Sequence, residues 1–111
     1  MDKLAKYSQF VQEILGEYSQ YEPALEGLEY QAIFDKEGGH YQVVQFGWEG
    51  YKYVHYCLIH VDLKSDKIWI QWNMTEIDIA GELVKMGVPK EEIVVGFHHP
   101  FLRKLSDYAV G

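Results

Sequence analysis

The sequence has few of the residues that would indicate a disulfide framework or a nucleic-acid-binding surface. Its single cysteine, Cys57, excludes a disulfide within the chain and leaves no Cys-x-x-Cys spacing for a structural zinc site. Ten basic residues stand against seventeen acidic ones, and the formal net charge is −7 at pH 7. Because the basic residues are scattered, this charge opposes direct contact with a phosphate backbone and fits a basic protein partner better.

Long apolar segments are also missing. No stretch approaches the roughly 20 apolar residues of a membrane span, and the N-terminal residues lack the apolar core of a signal peptide. These absences predict a cytoplasmic protein. The length of 111 residues predicts one domain, residues 1–111, because a chain of this size can bury one hydrophobic core.

The clearest pattern in the sequence spans residues 67–89. Apolar and polar residues alternate over residues 67–73, which predicts a strand. The apolar period then becomes helical and predicts a helix over residues 75–86, with Thr75 as its N-cap. Gly87 is the expected residue after the helix end. A strand that runs directly into a helix is therefore predicted.

Periodicity along the rest of the chain predicts an α+β fold. The predicted elements are an N-terminal helix (2–21), a four-stranded antiparallel meander (28–35, 41–48, 51–63 and 67–73), the helix just described, a helical turn (90–92), a short fifth strand (93–97) and a short C-terminal helix (101–105). The spacing around the second helix also permits a parallel crossover connection. The order of the strands is left open by the sequence.

Histidines in two strands are the candidates for chemistry. His60 and Asp62 lie two residues apart and share one face of the third predicted strand, and His98 follows the fifth. Together they could form an acid–base site or a metal site, although their spacing matches no known metal motif. A hydrogen-bonded structural role is the simpler interpretation. The sequence therefore predicts no catalytic residue, no metal ligand and no cofactor.

A binding surface is predicted around the start of the second helix. Trp69 points away from the apolar face of its strand, so a helix or a partner must cover it. Trp and Arg are enriched in binding hot spots. The predicted interaction surface consists of Trp69, Gln71, Thr75 and Glu76, with a second patch at His98, Pro100 and Arg103. Tyrosines on strand edges also suggest self-association into a homo-oligomer.

Two segments, residues 67–71 (Lys-Ile-Trp-Ile-Gln) and 87–90 (Gly-Val-Pro-Lys), closely resemble the XisI family, the fdxN element excision controlling factors of cyanobacteria. The likeness extends over almost the whole chain and includes the His60-x-Asp62 pair. The chain departs from the family pattern at residues 51–53 (Tyr-Lys-Tyr), where basic residues are expected. This departure further disfavours a direct contact with DNA.

The resemblance implies a role in DNA rearrangement and no particular reaction. The family is named for controlling, together with XisH, the site-specific excision of a DNA element during heterocyst development. The resemblance thus implies a non-enzymatic accessory factor that contacts an XisH-like protein and a site-specific recombinase, and reaches DNA only indirectly. No catalytic residue is carried over from the family. The alternative hypothesis is a small enzyme or metal-binding protein built on His60, Asp62 and His98.

Overall fold

The chain begins with an amphipathic helix, α1 (Lys3–Ser19), in the computed structural model, which describes residues 2–111. Asp2 caps this helix by accepting a hydrogen bond from the backbone N–H of Leu4 at 3.3 Å. The buried residues of α1 recur at three- and four-residue spacing and are Tyr7, Val11, Ile14 and Leu15. The helix ends at Ser19, slightly earlier than predicted, because the N–H of Gln20 already bonds to the carbonyl of Glu17.

Five strands form one mixed sheet. They are β1 (Leu28–Asp35), β2 (His40–Glu49), β3 (Lys52–Lys64), β4 (Lys67–Asn73) and β5 (Ile93–Val95). Their spatial order follows the sequence, β1-β2-β3-β4-β5. The first four strands pair antiparallel and β5 pairs parallel to β4, so the α+β prediction and its meander are confirmed. The fifth strand ends at Val95, earlier than predicted, because the N–H of His98 turns back to the Val95 carbonyl.

The second helix, α2 (Ile79–Lys85), begins later than the sequence predicts. Thr75 is not its N-cap. The Thr75 hydroxyl donates to Asn73 Oδ1 at 2.6 Å and accepts from the N–H of Ile77 at 3.2 Å, so it shapes the turn that leaves β4. Asp78 caps the helix instead, with its side chain accepting from the first helical turn.

The predicted end of α2 is confirmed. Gly87 has a φ of +106°, and the N–H groups of Gly87 and Val88 donate to the carbonyls of Val84 and Leu83. A 3₁₀ turn (Lys90–Glu92) and a four-residue helix, α3 (Pro100–Arg103), complete the elements. No helix among residues 2–111 combines the length and the hydropathy that crossing a bilayer requires.

The core lies between the two longer helices and one face of the sheet, which we call the inner face. Its buried strand residues form one cluster with the buried residues of α1 and α2, and they are Tyr41, Val43, Leu58, Ile59, Val61, Ile68, Ile70 and Ile93. Alternate residues of the same strands point to the opposite side, which we call the outer face. The candidate functional groups lie on the outer face.

A polar contact between α1 and the 3₁₀ turn lies at the border of the inner face. The carboxylate of Glu92, in the 3₁₀ turn, lies 2.7 Å from the Lys3 ammonium and accepts a 2.8 Å hydrogen bond from the Tyr7 hydroxyl. Lys3 and Tyr7 both belong to α1, so this contact links the start of the helix to the segment that precedes β5.

Candidate functional site

A histidine–carboxylate cluster lies on the outer face where β2 and β3 pair. His60 and Asp62 share this face of β3, as predicted, and His40 of β2 stands directly opposite Asp62 in the register. Asp62 Oδ1 lies 2.8 Å from His40 Nδ1 and 2.8 Å from His60 Nε2. Because an ionised carboxylate only accepts hydrogen bonds, both imidazole nitrogens donate to the same oxygen. We refer to His40, His60 and Asp62 as the His–Asp cluster.

The neighbouring strand β4 completes the surroundings of Asp62. The pairing of β3 with β4 shifts by one residue between His60 and Val61, which leaves Gln71 as the extra residue of a β-bulge. The amide Nε2 of Gln71 donates to the second oxygen of Asp62, Oδ2, at 3.2 Å. Both carboxylate oxygens therefore have hydrogen-bond donors, and three strands contribute to one site.

Burial and hydrogen bonding act in opposite directions on the Asp62 carboxyl. Its side chain is only 14 % exposed, and burial by itself would raise its pKa. The hydrogen bonds from His40, His60 and Gln71 outweigh burial and hold the pKa of Asp62 below its usual range. The hydrogen bond to Asp62 raises the pKa of His40, whose side chain is 57 % exposed. The cluster is therefore anionic at its centre and open to solvent at His40.

His98 does not join the His–Asp cluster. Within residues 2–111, the three side chains whose ligand atoms lie within 4.8 Å of one another are His40, His60 and Asp62. His98 instead lines an apolar cleft of about 250 Å³ between the end of β4, the start of α2 and the C-terminal segment. The sequence hypothesis thus identified two members of the cluster and missed His40. Alternation along β2 places His40 and Gln42 on one face, but it does not show which residues of β3 stand opposite them.

Trp69, one member of the predicted interaction surface, is covered by its own chain. The Lys64 ammonium lies 4.2 Å from the centre of the Trp69 ring, and the Arg103 guanidinium lies 5.5 Å from it. The indole Nε1 is buried and has no hydrogen-bond acceptor among residues 2–111. The sequence left open whether a helix or a partner covers Trp69, and in the structure Lys64 of β3 and Arg103 of the C-terminal segment lie over its ring.

Arg103 links separate parts of the C-terminal segment through hydrogen bonds. Its guanidinium group donates to the carbonyls of Gly96 and His98 at 3.0 Å each and to the carbonyl of Val110 at 3.3 Å. These contacts hold the residues after β5 around the side chain of Trp69. Arg103 is therefore engaged within the chain, and we call this group of contacts the Arg103 clamp.

The remaining predicted surface residues fall into two groups. Gln71 and Thr75 are partly buried and make the hydrogen bonds described above. Glu76, His98 and Pro100 are exposed to solvent. The structure brings the last three to the surface, and leaves them accessible to another molecule.

A second exposed surface lies at the turn between β2 and β3. Trp48 and Tyr53 are more than half exposed, and their rings meet edge to face with centres 5.1 Å apart. Tyr51 projects fully into solvent between them in sequence. We call Trp48, Tyr51 and Tyr53 the aromatic tip. From the sequence, Tyr51 and Tyr53 stood out only as part of the departure from the family pattern, and Trp48 was not proposed as a surface residue.

The sequence also matches one protein-family model over nearly its entire length. The model is described as XisI protein and covers residues 1–110. The chain belongs to the XisI family. The resemblance drawn from the segments around β4 and α2 is thereby confirmed.

Solved structures of two proteins from Anabaena variabilis ATCC 29413 have the same fold as this XisI-family chain. A XisI-like protein is 42 % identical, with a TM-score of 0.90 over 97 % of this chain and 99 % of that chain. The fdxN element excision controlling factor XisI is 32 % identical, with a TM-score of 0.87 over 99 % of this chain and 100 % of that chain. A search of curated protein sequences found no match.

Proposed function

We propose that this XisI-family chain is a non-enzymatic factor that controls the site-specific excision of a DNA element of the fdxN type. The observation that carries the proposal is its similarity to the Anabaena variabilis fdxN element excision controlling factor, which extends over 99 % of this chain. Membership of the XisI family over residues 1–110 supports the same role. The role requires binding and regulation, and needs no catalytic group on this chain.

The factor acts through protein contacts, with an XisH-like protein and a site-specific recombinase as its partners. The net charge of −7 favours basic protein surfaces and opposes a close approach to DNA. The aromatic tip supports contact with a protein, because exposed Trp and Tyr side chains bury large areas at little cost in conformational entropy. DNA is then reached only through the partners.

Two surfaces are available for these contacts. One is the aromatic tip, and the other consists of the exposed members of the predicted surface, Glu76, His98 and Pro100. Arg103 adjoins the second surface, because its guanidinium packs on the Trp69 ring and donates to the carbonyl of His98. Glu76 adds negative charge that suits a basic partner.

The direct test is co-purification with the XisH-like protein encoded by the same genome. We expect a stable complex at micromolar concentration. The double variant Trp48→Ser/Tyr53→Ser should weaken it by about 2 kcal/mol, roughly 30-fold. Tyr21→Ser, which removes another exposed aromatic ring, is the matched control and should bind normally. If the wild-type chain and the XisH-like protein ignore each other, the proposed partnership is wrong.

The excision role needs a separate test in cells. Deleting the gene should abolish or strongly reduce the rejoined DNA junction that excision leaves, as measured by quantitative amplification across that junction. Complementation with the wild-type chain should restore it, and complementation with the aromatic-tip variant should not. Unchanged excision in the deletion strain would refute the role even if the protein complex forms.

A further inference from the structure

The His–Asp cluster has the composition and the spacing of a transition-metal site. We propose that His40 Nδ1, His60 Nε2 and Asp62 bind one divalent transition-metal ion of the Zn²⁺ type on the outer face. The proposal rests on the cluster itself and does not depend on the excision role. If the chain binds a metal ion but does not control excision, this inference stands and the proposed function fails. If the chain controls excision but binds no metal ion, the proposed function stands and this inference fails.

The geometry of the three groups is close to that of a coordination sphere. All three ligand atoms lie within 4.8 Å of one another, and Asp62 Oδ1 is 2.8 Å from each histidine nitrogen. Ligands about 2.1 Å from a zinc ion are roughly 3.0–3.4 Å apart in octahedral or tetrahedral geometry. Small side-chain rotations are therefore enough to admit an ion between the three atoms.

The chemistry of the donor set selects the class of metal. Two imidazole nitrogens and one carboxylate oxygen suit Zn²⁺, Co²⁺, Ni²⁺ or Cu²⁺, whereas Mg²⁺ and Ca²⁺ prefer oxygen ligands. Each imidazole would bind the ion through an unprotonated nitrogen and carry its proton on the opposite ring nitrogen, while the carboxylate would supply the negative charge. Three protein ligands leave positions on the ion for water or for a ligand from a partner.

The surroundings of the cluster support an ion in three further ways. Gln71 donates to Asp62 Oδ2 and orients the carboxylate, as second ligand shells commonly do in metal sites. Asp35 stands opposite His40 in the β1–β2 register and adds negative charge nearby. The exposed His40 side chain gives an ion a path from solvent, while Asp62 remains mostly buried.

The experiment uses the full chain without an affinity tag, because a histidine tag would bind the same ions. Co²⁺ is titrated into the metal-free protein, its visible absorption is followed, and Zn²⁺ is then added as competitor. We expect saturation at one ion per chain, displacement by Zn²⁺, and a melting temperature that rises with Zn²⁺ and falls again with chelator. A chain that shows no saturable one-to-one binding refutes the site.

Variants locate the bound ion. Asp62→Asn and His40→Gln should each weaken Zn²⁺ binding by more than about 100-fold, and Gln71→Leu should weaken it roughly tenfold. The matched control is His98→Gln/His99→Gln, which removes two exposed histidines outside the cluster and should bind as the wild type does. Circular dichroism confirms that each variant is folded. If Asp62→Asn fails to fold, the more exposed His40→Gln decides the question.

Two outcomes would overturn the proposal even if some metal binds. Equal loss of affinity in the His98→Gln/His99→Gln control would show that exposed histidines bind the ion adventitiously. Full retention of affinity in His40→Gln would show that the cluster is a hydrogen-bonded network that links β2 to β3 without an ion.

Discussion

The two faces of the sheet are built from the same strands but are stabilised by different kinds of contact. On the inner face, aliphatic and aromatic side chains pack against α1 and α2, and every strand from β2 to β5 contributes a fully buried residue. On the outer face, polar and aromatic groups make directed contacts, such as the His–Asp cluster and the Arg103 clamp. The comparison indicates that nonspecific apolar burial holds the fold, while the outer face is free to carry function.

The largest expected effect contrasts one isoleucine from each face. Ile59 of β3 is 0 % exposed on the inner face, and Ile33 of β1 is 48 % exposed on the outer face. Ile59→Ala should lower the free energy of unfolding by about 3–5 kcal/mol, because it removes buried methyl groups and leaves a cavity. Ile33→Ala should change it by less than about 1 kcal/mol. Urea unfolding monitored by tryptophan fluorescence and circular dichroism measures both.

Ile59 and Ile33 are the same residue type and both lie in β-strands, so strand propensity alone cannot produce the difference in the free energy of unfolding. Similar losses for Ile59→Ala and Ile33→Ala would mean that the outer face is covered in solution, for example by a second copy of the chain. Sedimentation of the wild type at two concentrations would then test the predicted self-association.

A smaller effect is expected from the Arg103 clamp. Arg103→Ala removes a guanidinium group that donates to three backbone carbonyls and should lower the free energy of unfolding by about 2–3 kcal/mol. Arg103→Lys keeps the charge but cannot reproduce the planar fork, so it should recover less than half of the loss. Equilibrium unfolding in urea measures both variants.

The Arg103 variants also test whether Arg103 belongs to the predicted interaction surface or acts only within the chain. If both Arg103 variants are as stable as the wild type and bind the XisH-like protein less tightly, Arg103 belongs to the binding surface, as predicted from the sequence. If they lose stability and keep the affinity, Arg103 acts within the chain and the partner binds elsewhere. The aromatic-tip variant then becomes the better probe of the interface.

Most of the fold could be predicted from the sequence because the patterns that indicate its strands and helix ends involve only neighbouring residues. Strands β1 and β4 have the predicted bounds, since alternation of apolar residues depends only on neighbours within the strand. The end of α2 was also predicted, because Gly87 allows the positive φ that terminates the helix. The start of α2 was misplaced since Thr75 and Asp78 are both good caps, and only the turn at Asn73 shows which of them is used.

The His–Asp cluster was only partly accessible because it depends on the strand register. Counting back from the Glu49–Lys52 pair, an unbroken ladder would place His40 opposite Val61, on the inner side of the sheet. The bulge at Val43/Val44 inserts one extra residue in β3 and moves His40 opposite Asp62. Nothing in the sequence of β3 marks the position of that bulge, so His40 could not be assigned to the cluster in advance.

The smallest expected effect concerns the polar contact that borders the inner face. Hydrogen bonds from Lys3 and then Tyr7 hold the pKa of Glu92 below its ordinary value of 4.5. The folded protein therefore binds this proton more weakly than the unfolded chain, and ionised Glu92 stabilises the fold above about pH 4.5. This contribution disappears as the pH falls through the pKa of the folded state.

Glu92→Gln should accordingly melt at a slightly lower temperature than the wild type near pH 7, and the difference should shrink as the pH falls below 4.5 toward 3. Thermal melts followed by circular dichroism between these two pH values measure the effect. Glu91→Gln, which changes the exposed neighbouring residue, is the control and should follow the wild type. A difference between Glu92→Gln and the wild type that persists unchanged at low pH would show that the carboxylate's charge is irrelevant. The stability of the fold at the border of the inner face would then come from packing alone, as it does at the centre of that face.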